Sequence, residues 1–253
     1  MAKAVSEIKE ELEQAAGEER SRLLAEYGND TRKGVLHLVE KYRKQEQALL
    51  AEIERLEQMK FFEKKYAENY SLICGIDEAG RGPLAGPVAA GACILRTDEQ
   101  ILYLNDSKKL SASKRELLYD EIREKAVAFG VGIVSPERID EINILQATYE
   151  AMRKAIAAMQ LEPDFLLVDA VTIPDVSMKQ IGIIKGDAKS VSIAAASILA
   201  KVTRDRMMVE MDALYPEYGF KQNKGYGSAA HIQAIKEFGP SPVHRRTFIK
   251  NFL

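Results

Sequence analysis

The sequence has no tryptophan, only two cysteines and only three histidines among 253 residues. So few sulfur and imidazole groups give no basis for a zinc site, and Cys74 and Cys93 form no C-x-x-C pair, so no redox motif is present either. Both cysteines lie in apolar, strand-like stretches and read as buried thiols acting as small hydrophobes. No apolar run approaches the ~20 residues that span a bilayer, and the N-terminus lacks the apolar core of a secretion signal. The expectation is a cytoplasmic protein. Neither sign of charge dominates, with 36 Lys and Arg against 38 Asp and Glu. That balance argues against a chain that binds nucleic acid by bulk charge alone. The length excludes a small disulfide-stapled scaffold and suits one large domain with an appendage.

What is present falls into two parts. Residues 1–70 contain no proline and only three glycines, and hold 13 basic against 15 acidic residues. Strong helix formers dominate there. Val35, Leu36, Leu38, Val39 and Tyr42 follow helical spacing, as do Leu49, Leu50, Ile53, Leu56 and Met59. The pattern predicts a small all-helical N-terminal extension, capped near 29–31 and ending in a long helix that reaches about residue 67. From residue 71 the periodicity changes. Short apolar runs at 71–77, 87–95, 127–134, 165–171 and 180–184 read as strands, and amphipathic stretches at 111–125, 136–159 and 191–214 read as helices. The brief connection between the first two strands requires antiparallel pairing. Ala194, Ala195, Ala196 and Ser197 permit close approach of the last long helix to a sheet. The expected class is α/β, a mixed sheet flanked by helices. Residues 215–253 hold six basic and two acidic residues, a segment able to contact phosphate.

Four acidic residues stand out by position. Asp77 and Glu78 end the first strand, Asp169 ends the fourth, and Asp187 follows the fifth. A carboxylate that terminates an apolar run is costly unless paired, hydrogen-bonded or metal-bound. Several converging at one sheet edge repel and raise each other's pKa unless a cation neutralises them. Oxygen-only donors favour Mg²⁺ or Mn²⁺, and two such ions are the usual arrangement for phosphoryl displacement. One difficulty is geometric: neighbours on a strand point to opposite faces, so Asp77 and Glu78 share a site only if the strand bends, which Ala79 and Gly80 allow. Gly80-Arg81-Gly82-Pro83-Leu84-Ala85-Gly86 lacks the dinucleotide-binding spacing. It reads as a tight connection whose backbone can lie against a ligand, with Arg81 suited to a phosphate or ribose.

Taken together, the motifs resemble one family. Gly75-Ile-Asp-Glu-Ala-Gly-Arg-Gly-Pro-Leu-Ala-Gly-Pro-Val88 is similar to the opening signature of ribonuclease HII. Asp106-Ser-Lys-Lys-Leu110, Leu167-Val-Asp169, Lys185-Gly-Asp187, Ser197-Ile-Leu-Ala-Lys201 and Asn223-Lys-Gly-Tyr-Gly227 with His231 follow in order. The resemblance covers about residues 71–250. The related ribonuclease HIII usually carries Thr before the acidic pair and a strand-rich N-terminal domain, unlike this chain. The resemblance implies an RNase H-like five-stranded sheet in a catalytic domain at 71–253, with 1–70 as an extension outside the match. It implies hydrolysis of the RNA strand of RNA–DNA hybrids and incision 5′ to single ribonucleotides in duplex DNA, by a monomer with no membrane partner. Asp77, Glu78, Asp169 and Asp187 would be the catalytic carboxylates holding two Mg²⁺ or Mn²⁺ ions. Gly80, Arg81 and Gly82 would touch the ribonucleotide and its 2′-hydroxyl, Tyr226 would pack on the sugar, and Lys108 and Lys201 would lie near backbone phosphate. Ser228 and Thr247 depart from the common Thr and Ser but keep the hydroxyl. His231 and His244 read as helix-surface or structural residues. A non-catalytic binder of the same fold is the rival, and intact carboxylates at all the matched positions argue against it.

Overall fold

The computed structural model describes residues 3–253. The chain divides into two compact units, one ending at Arg55 and the other running Leu56–Leu253. The first unit is helical, built from α1 (Val5–Gln14), α2 (Gly17–Tyr27) and most of α3 (Lys33–Met59). Ile8 and Leu12, Leu24 and Tyr27, and Val35, Val39 and Tyr42 recur at three- and four-residue spacing and bury one another in a single cluster. Near the predicted cap, the Asp30 carboxylate accepts the Arg32 backbone N–H at 2.8 Å.

The long helix does not continue to residue 67. It stops at Met59, and α4 (Phe61–Ala67) begins after Lys60. The cause lies in packing within the second unit, where Leu56 and Met59 join one buried cluster and Phe62 and Tyr66 join another. Tyr66 stacks on Phe165 with centroids 4.3 Å apart. A straight helix would aim both pairs along one stripe, so the axis must turn between them. No Gly or Pro marks that turn.

The second unit holds β1 (Ile73–Ala79), β2 (Val88–Ile94), β3 (Ala128–Val134), β4 (Phe165–Asp169) and β5 (Lys179–Ile183) in one five-stranded sheet, ordered β3-β2-β1-β4-β5. β1 pairs antiparallel with β2, and β2 with β3, while β1/β4 and β4/β5 are parallel. The helices are α5 (Ala112–Lys125), α6 (Pro136–Ala157), α7 (Val191–Leu214) and the short α8 (Phe220–Asn223), α9 (Ala229–Phe238) and α10 (Arg246–Ile249). This is the expected mixed α/β sheet with flanking helices. Ser111, Ser135, Ser190 and Ser228 cap α5, α6, α7 and α9, each accepting a backbone N–H from the first turn.

Alternation along the strands separates the two faces. Cys74 and Ile76 face α6, packing with Ala151, Met152 and Ala155. Cys93 faces α7 and α5, packing with Ala195, Ala196, Leu118 and Ile122. Both thiols are buried and free, and burial pushes Cys74 up to about 12. The small residues of α7 bring its backbone onto the sheet. A Cβ at Gly91 would stand 2.2 Å from the Ala196 carbonyl oxygen, so that crossing requires glycine. In α6 the backbone leaves helical geometry at Asn143 (φ 66°), whose side chain accepts the N–H groups of Leu145 and Gln146 and restarts the helix. Among the described residues no helix is long and apolar enough to cross a membrane.

Candidate active site

The site lies where β1 outruns its parallel neighbour. β1 pairs with β4 only as far as Ile76 opposite Val168, yet continues beside β2 to Ala79 opposite Ala89. The left-handed backbone that ends this stretch falls at Gly80 (φ +93°), one of the two residues expected to allow a bend. Freed from β4 on one side, both Asp77 and Glu78 line one cavity of about 580 Å³, shared with Gly80, Arg81, Gly82, Ser107, Lys108, Arg115, Lys201 and Tyr226. The glycine segment, the aromatic and both lysines singled out in the sequence therefore meet at one place. Asp169 and Asp187 lie outside that lining but close enough to act on Asp77.

Asp77 is 7% exposed. Burial, then Glu78, Asp169 and Asp187, hold its carboxyl well above the ordinary range, although it accepts the Glu78 backbone N–H at 2.7 Å. Burial also raises Glu78, against the pull of Arg81, whose guanidinium donates to it at 3.3 Å. Asp187 is raised by burial and then by Asp106 and Asp169. Asp169 is anchored through Oδ1, which accepts the Gly186 N–H at 2.7 Å. Asp106 belongs to this group and was not singled out in the sequence. Its only sequence signal is its place at the head of Asp106-Ser-Lys-Lys, and its facing of Asp187 comes from the tertiary fold.

The cations answer this charge unequally. Burial works to lower Lys108, but Asp106, Asp77 and Asp187 outweigh it and hold the ammonium above its ordinary value. Lys201 is lowered by burial and donates to Asp205 at 2.8 Å, with Arg115 3.8 Å from the same carboxylate. Tyr226 is 44% exposed, with Lys201 and Arg204 each 5.9 Å from its ring centroid. Its loop is docked by the Gly225 carbonyl, which accepts the Leu84 N–H at 2.8 Å.

His231 and His244 are not on a surface. Both are buried and bonded to each other, Nε2 to Nε2, at 2.9 Å. The Ser241 backbone N–H donates to His244 Nδ1, so that nitrogen carries no proton. Its Nε2–H then donates to His231 Nε2, and His231 Nδ1–H donates to the Tyr226 carbonyl at 2.8 Å. Burial and then His231 push His244 down to about 4, which keeps this chain neutral near pH 7. The basic C-terminal segment is also less basic at the surface than its sequence suggests, because Arg245 is fully buried.

The donor set fits a hard divalent cation such as Mg²⁺ or Mn²⁺. It is oxygen-only, and Asp77, Glu78 and Asp187 are all held above their ordinary range by burial and neighbouring carboxylates, a cost that a cation would relieve. Among the described residues no three acidic, His or Cys side chains close around a single point.

A five-stranded mixed sheet in this order, with carboxylates at the free end of its first strand, is an RNase H-like fold. The family model of ribonuclease HII matches residues 74–251, and that of the ribonuclease HII N-terminal domain matches 4–67. The chain is 59% identical over 247 residues to the ribonuclease HII of Lachnoclostridium phytofermentans, covering 98% of this chain and 97% of that one. It is 51% identical to the ribonuclease HII of Clostridioides difficile, covering 99% of each. Among solved structures, the complex of PCNA and RNase HII from Archaeoglobus fulgidus aligns with TM-score 0.59 and 30% identity, over 72% of this chain and 96% of that one. The chain belongs to the ribonuclease HII family and is an enzyme, a ribonuclease H of type 2.

Proposed function

We propose that this ribonuclease, whose class cleaves the RNA of RNA–DNA hybrids, also incises duplex DNA on the 5′ side of a single embedded ribonucleotide, leaving a 3′-hydroxyl and a 5′-phosphate. The observation that carries the reading is the single cavity joining Asp77 and Glu78 to the Gly80, Arg81 and Gly82 backbone and to Tyr226. It combines an acidic end suited to metal-assisted phosphoryl chemistry with a glycine-lined wall where backbone can approach a ribose.

Asp77, Glu78, Asp169 and Asp187 would hold Mg²⁺ or Mn²⁺, with Asp106 facing Asp187. Bound there, such a pair would supply a polarising charge for an attacking water and for the leaving 3′-oxygen. The protein does the rest. Gly80, Arg81 and Gly82 lay backbone against the ribonucleotide, whose 2′-hydroxyl is read but is not the nucleophile. The exposed Tyr226 ring packs on the neighbouring sugar. Lys108 and Lys201 offer positive charge to the backbone phosphate on the same wall. Without a cation the carboxylates repel a phosphodiester, so the site binds its substrate productively only when they are neutralised.

The test is cleavage of an end-labelled DNA duplex carrying one ribonucleotide, with Mg²⁺ or Mn²⁺, beside Asp77→Asn and an all-DNA duplex. One cut on the 5′ side, absent in both controls, is expected. Folded protein that leaves the duplex intact with either metal would refute the incision reading.

A further inference from the structure

Two arginines of the second unit, Arg204 on α7 and Arg245 just before α10, have no exposed surface. A buried guanidinium is costly unless its donors are satisfied. Every hydrogen bond these two side chains make goes to a backbone carbonyl. Arg204 donates to Pro87, Lys224 and Ala85 at 2.8, 2.9 and 3.1 Å. Arg245 donates to Gly86 at 2.9 Å, Arg81 at 2.9 Å, Gly80 at 2.6 Å and Pro87 at 3.1 Å. Its own N–H is fixed in turn by the Leu84 carbonyl at 2.8 Å.

The consequence for the cavity wall follows from peptide geometry. In a planar trans peptide the C=O and the next residue's N–H point in opposite directions. The Gly80 and Arg81 carbonyls are drawn inward to Arg245, so the N–H groups of Arg81 and Gly82 face outward. Both residues are exposed on the cavity wall. Neither N–H donates to any other group among the described residues. Two adjacent outward N–H groups form a small concave donor site for an oxygen lone pair.

We propose that Arg245 is a positioning residue for ribonucleotide recognition: by holding the Gly80 and Arg81 carbonyls it presents the Arg81 and Gly82 N–H groups as paired donors to the 2′-hydroxyl oxygen. The proposal rests on the reading that this segment touches the ribonucleotide. Lysine cannot replace arginine here, because one ammonium cannot span carbonyls on opposite sides of the fork.

The test measures binding by fluorescence anisotropy in a full-length, non-cleaving Asp77→Asn background. The readout is the affinity for a duplex with one ribonucleotide divided by that for the all-DNA duplex. Arg245→Lys is expected to cut this preference about tenfold, the size of one hydrogen bond to a polar partner. A general loss of folding would weaken both duplexes alike and leave the ratio standing. If the background protein shows no preference, the reading of the segment fails. If it shows a preference that Arg245→Lys retains, the positioning role fails. Should Arg245→Lys not fold, the non-cleaving Asp77→Asn protein with Mg²⁺ supplies the second measurement. Its Arg81 and Gly82 amide resonances should shift with the ribonucleotide duplex and shift less with all-DNA. Amides that move equally with both duplexes, or not at all, overturn the proposal.

Discussion

Gly80 and Gly82 sit two residues apart in one motif, and the structure gives them different work. At Gly80, φ is +93° and an added Cβ would stand 2.1 Å from Arg204 Nε and 2.9 Å from the Pro87 carbonyl oxygen. Gly80→Ala therefore strains the backbone by about 1–3 kcal/mol. It also displaces the Arg204 guanidinium, and losing even one of its bonds costs about 1.5–3 kcal/mol. The expected total is about 3–6 kcal/mol, a fall in melting temperature on the order of 10–20 °C for a chain of this size. Gly82 has no left-handed φ, and an added Cβ would meet only Tyr226 Cε1, at 4.0 Å. Gly82→Ala should change stability by no more than about 0.5 kcal/mol. Its methyl group stands between the backbone and Tyr226, where the ribose is proposed to lie, so kcat/KM should fall at least tenfold, roughly the penalty for misplacing a substrate by a fraction of an ångström. Thermal melts and cleavage of the one-ribonucleotide duplex, run on both variants, decide the matter. The reasoning is refuted if Gly82→Ala melts as low as Gly80→Ala, or if a folded Gly82→Ala cleaves like the unsubstituted enzyme.

In metal-free protein, Asp77, Glu78 and Asp187 have folded pKa values raised above their unfolded values. Their contribution is full below the unfolded value and is lost as pH rises through the folded one. His231 and His244 are lowered and act oppositely, losing stability as pH falls below their unfolded value. Asp77→Asn separates the two: it should match the unsubstituted protein near pH 4, the ordinary carboxylate range, and become progressively the more stable as pH rises. A stability difference that does not vary with pH would contradict this. Millimolar Mg²⁺ or Mn²⁺ should raise the melting temperature by binding the folded state, and less so in Asp187→Asn; equal shifts in both proteins would remove Asp187 from the ion site. Truncation should be far less damaging after Arg55 than after Glu68. The longer cut removes buried Leu56 and Met59, the Tyr66 ring on Phe165, and Glu63, which accepts the Ser190 hydroxyl at 2.5 Å and the Ser192 N–H at 3.0 Å. Each lost large apolar group is worth about 2–5 kcal/mol, and calorimetry of the two truncations checks the order.

Much of the second unit was legible because its signals are local. Apolar runs of strand length ending in Asp77 and Asp169, and the small residues of α7, are each read within one segment. The helical character of the first unit was equally plain. The break at Lys60 was not, because it arises from two different core clusters claiming neighbouring turns of one amphipathic pattern. The restart of α6 at Asn143 was hidden for a related reason: a capping residue inside a helical pattern also reads as a surface polar residue. Asp106 was passed over because nothing near it in the chain shows that it faces Asp187.

The local order of polar, apolar and small residues thus pointed to most of the elements, to four candidate carboxylates and to the family, since periodicity and motif spacing are properties of the chain itself. Only the tertiary structure decided that β1 outruns β4, so that Asp77 and Glu78 open into the cavity that also receives Tyr226. It alone placed His231 and His244 inside the protein behind that tyrosine, and turned Arg245 from a surface cation into a buried clasp on Gly80 and Arg81. These outcomes depend on which distant backbone groups come to rest beside a side chain, and sequence spacing carries no record of that.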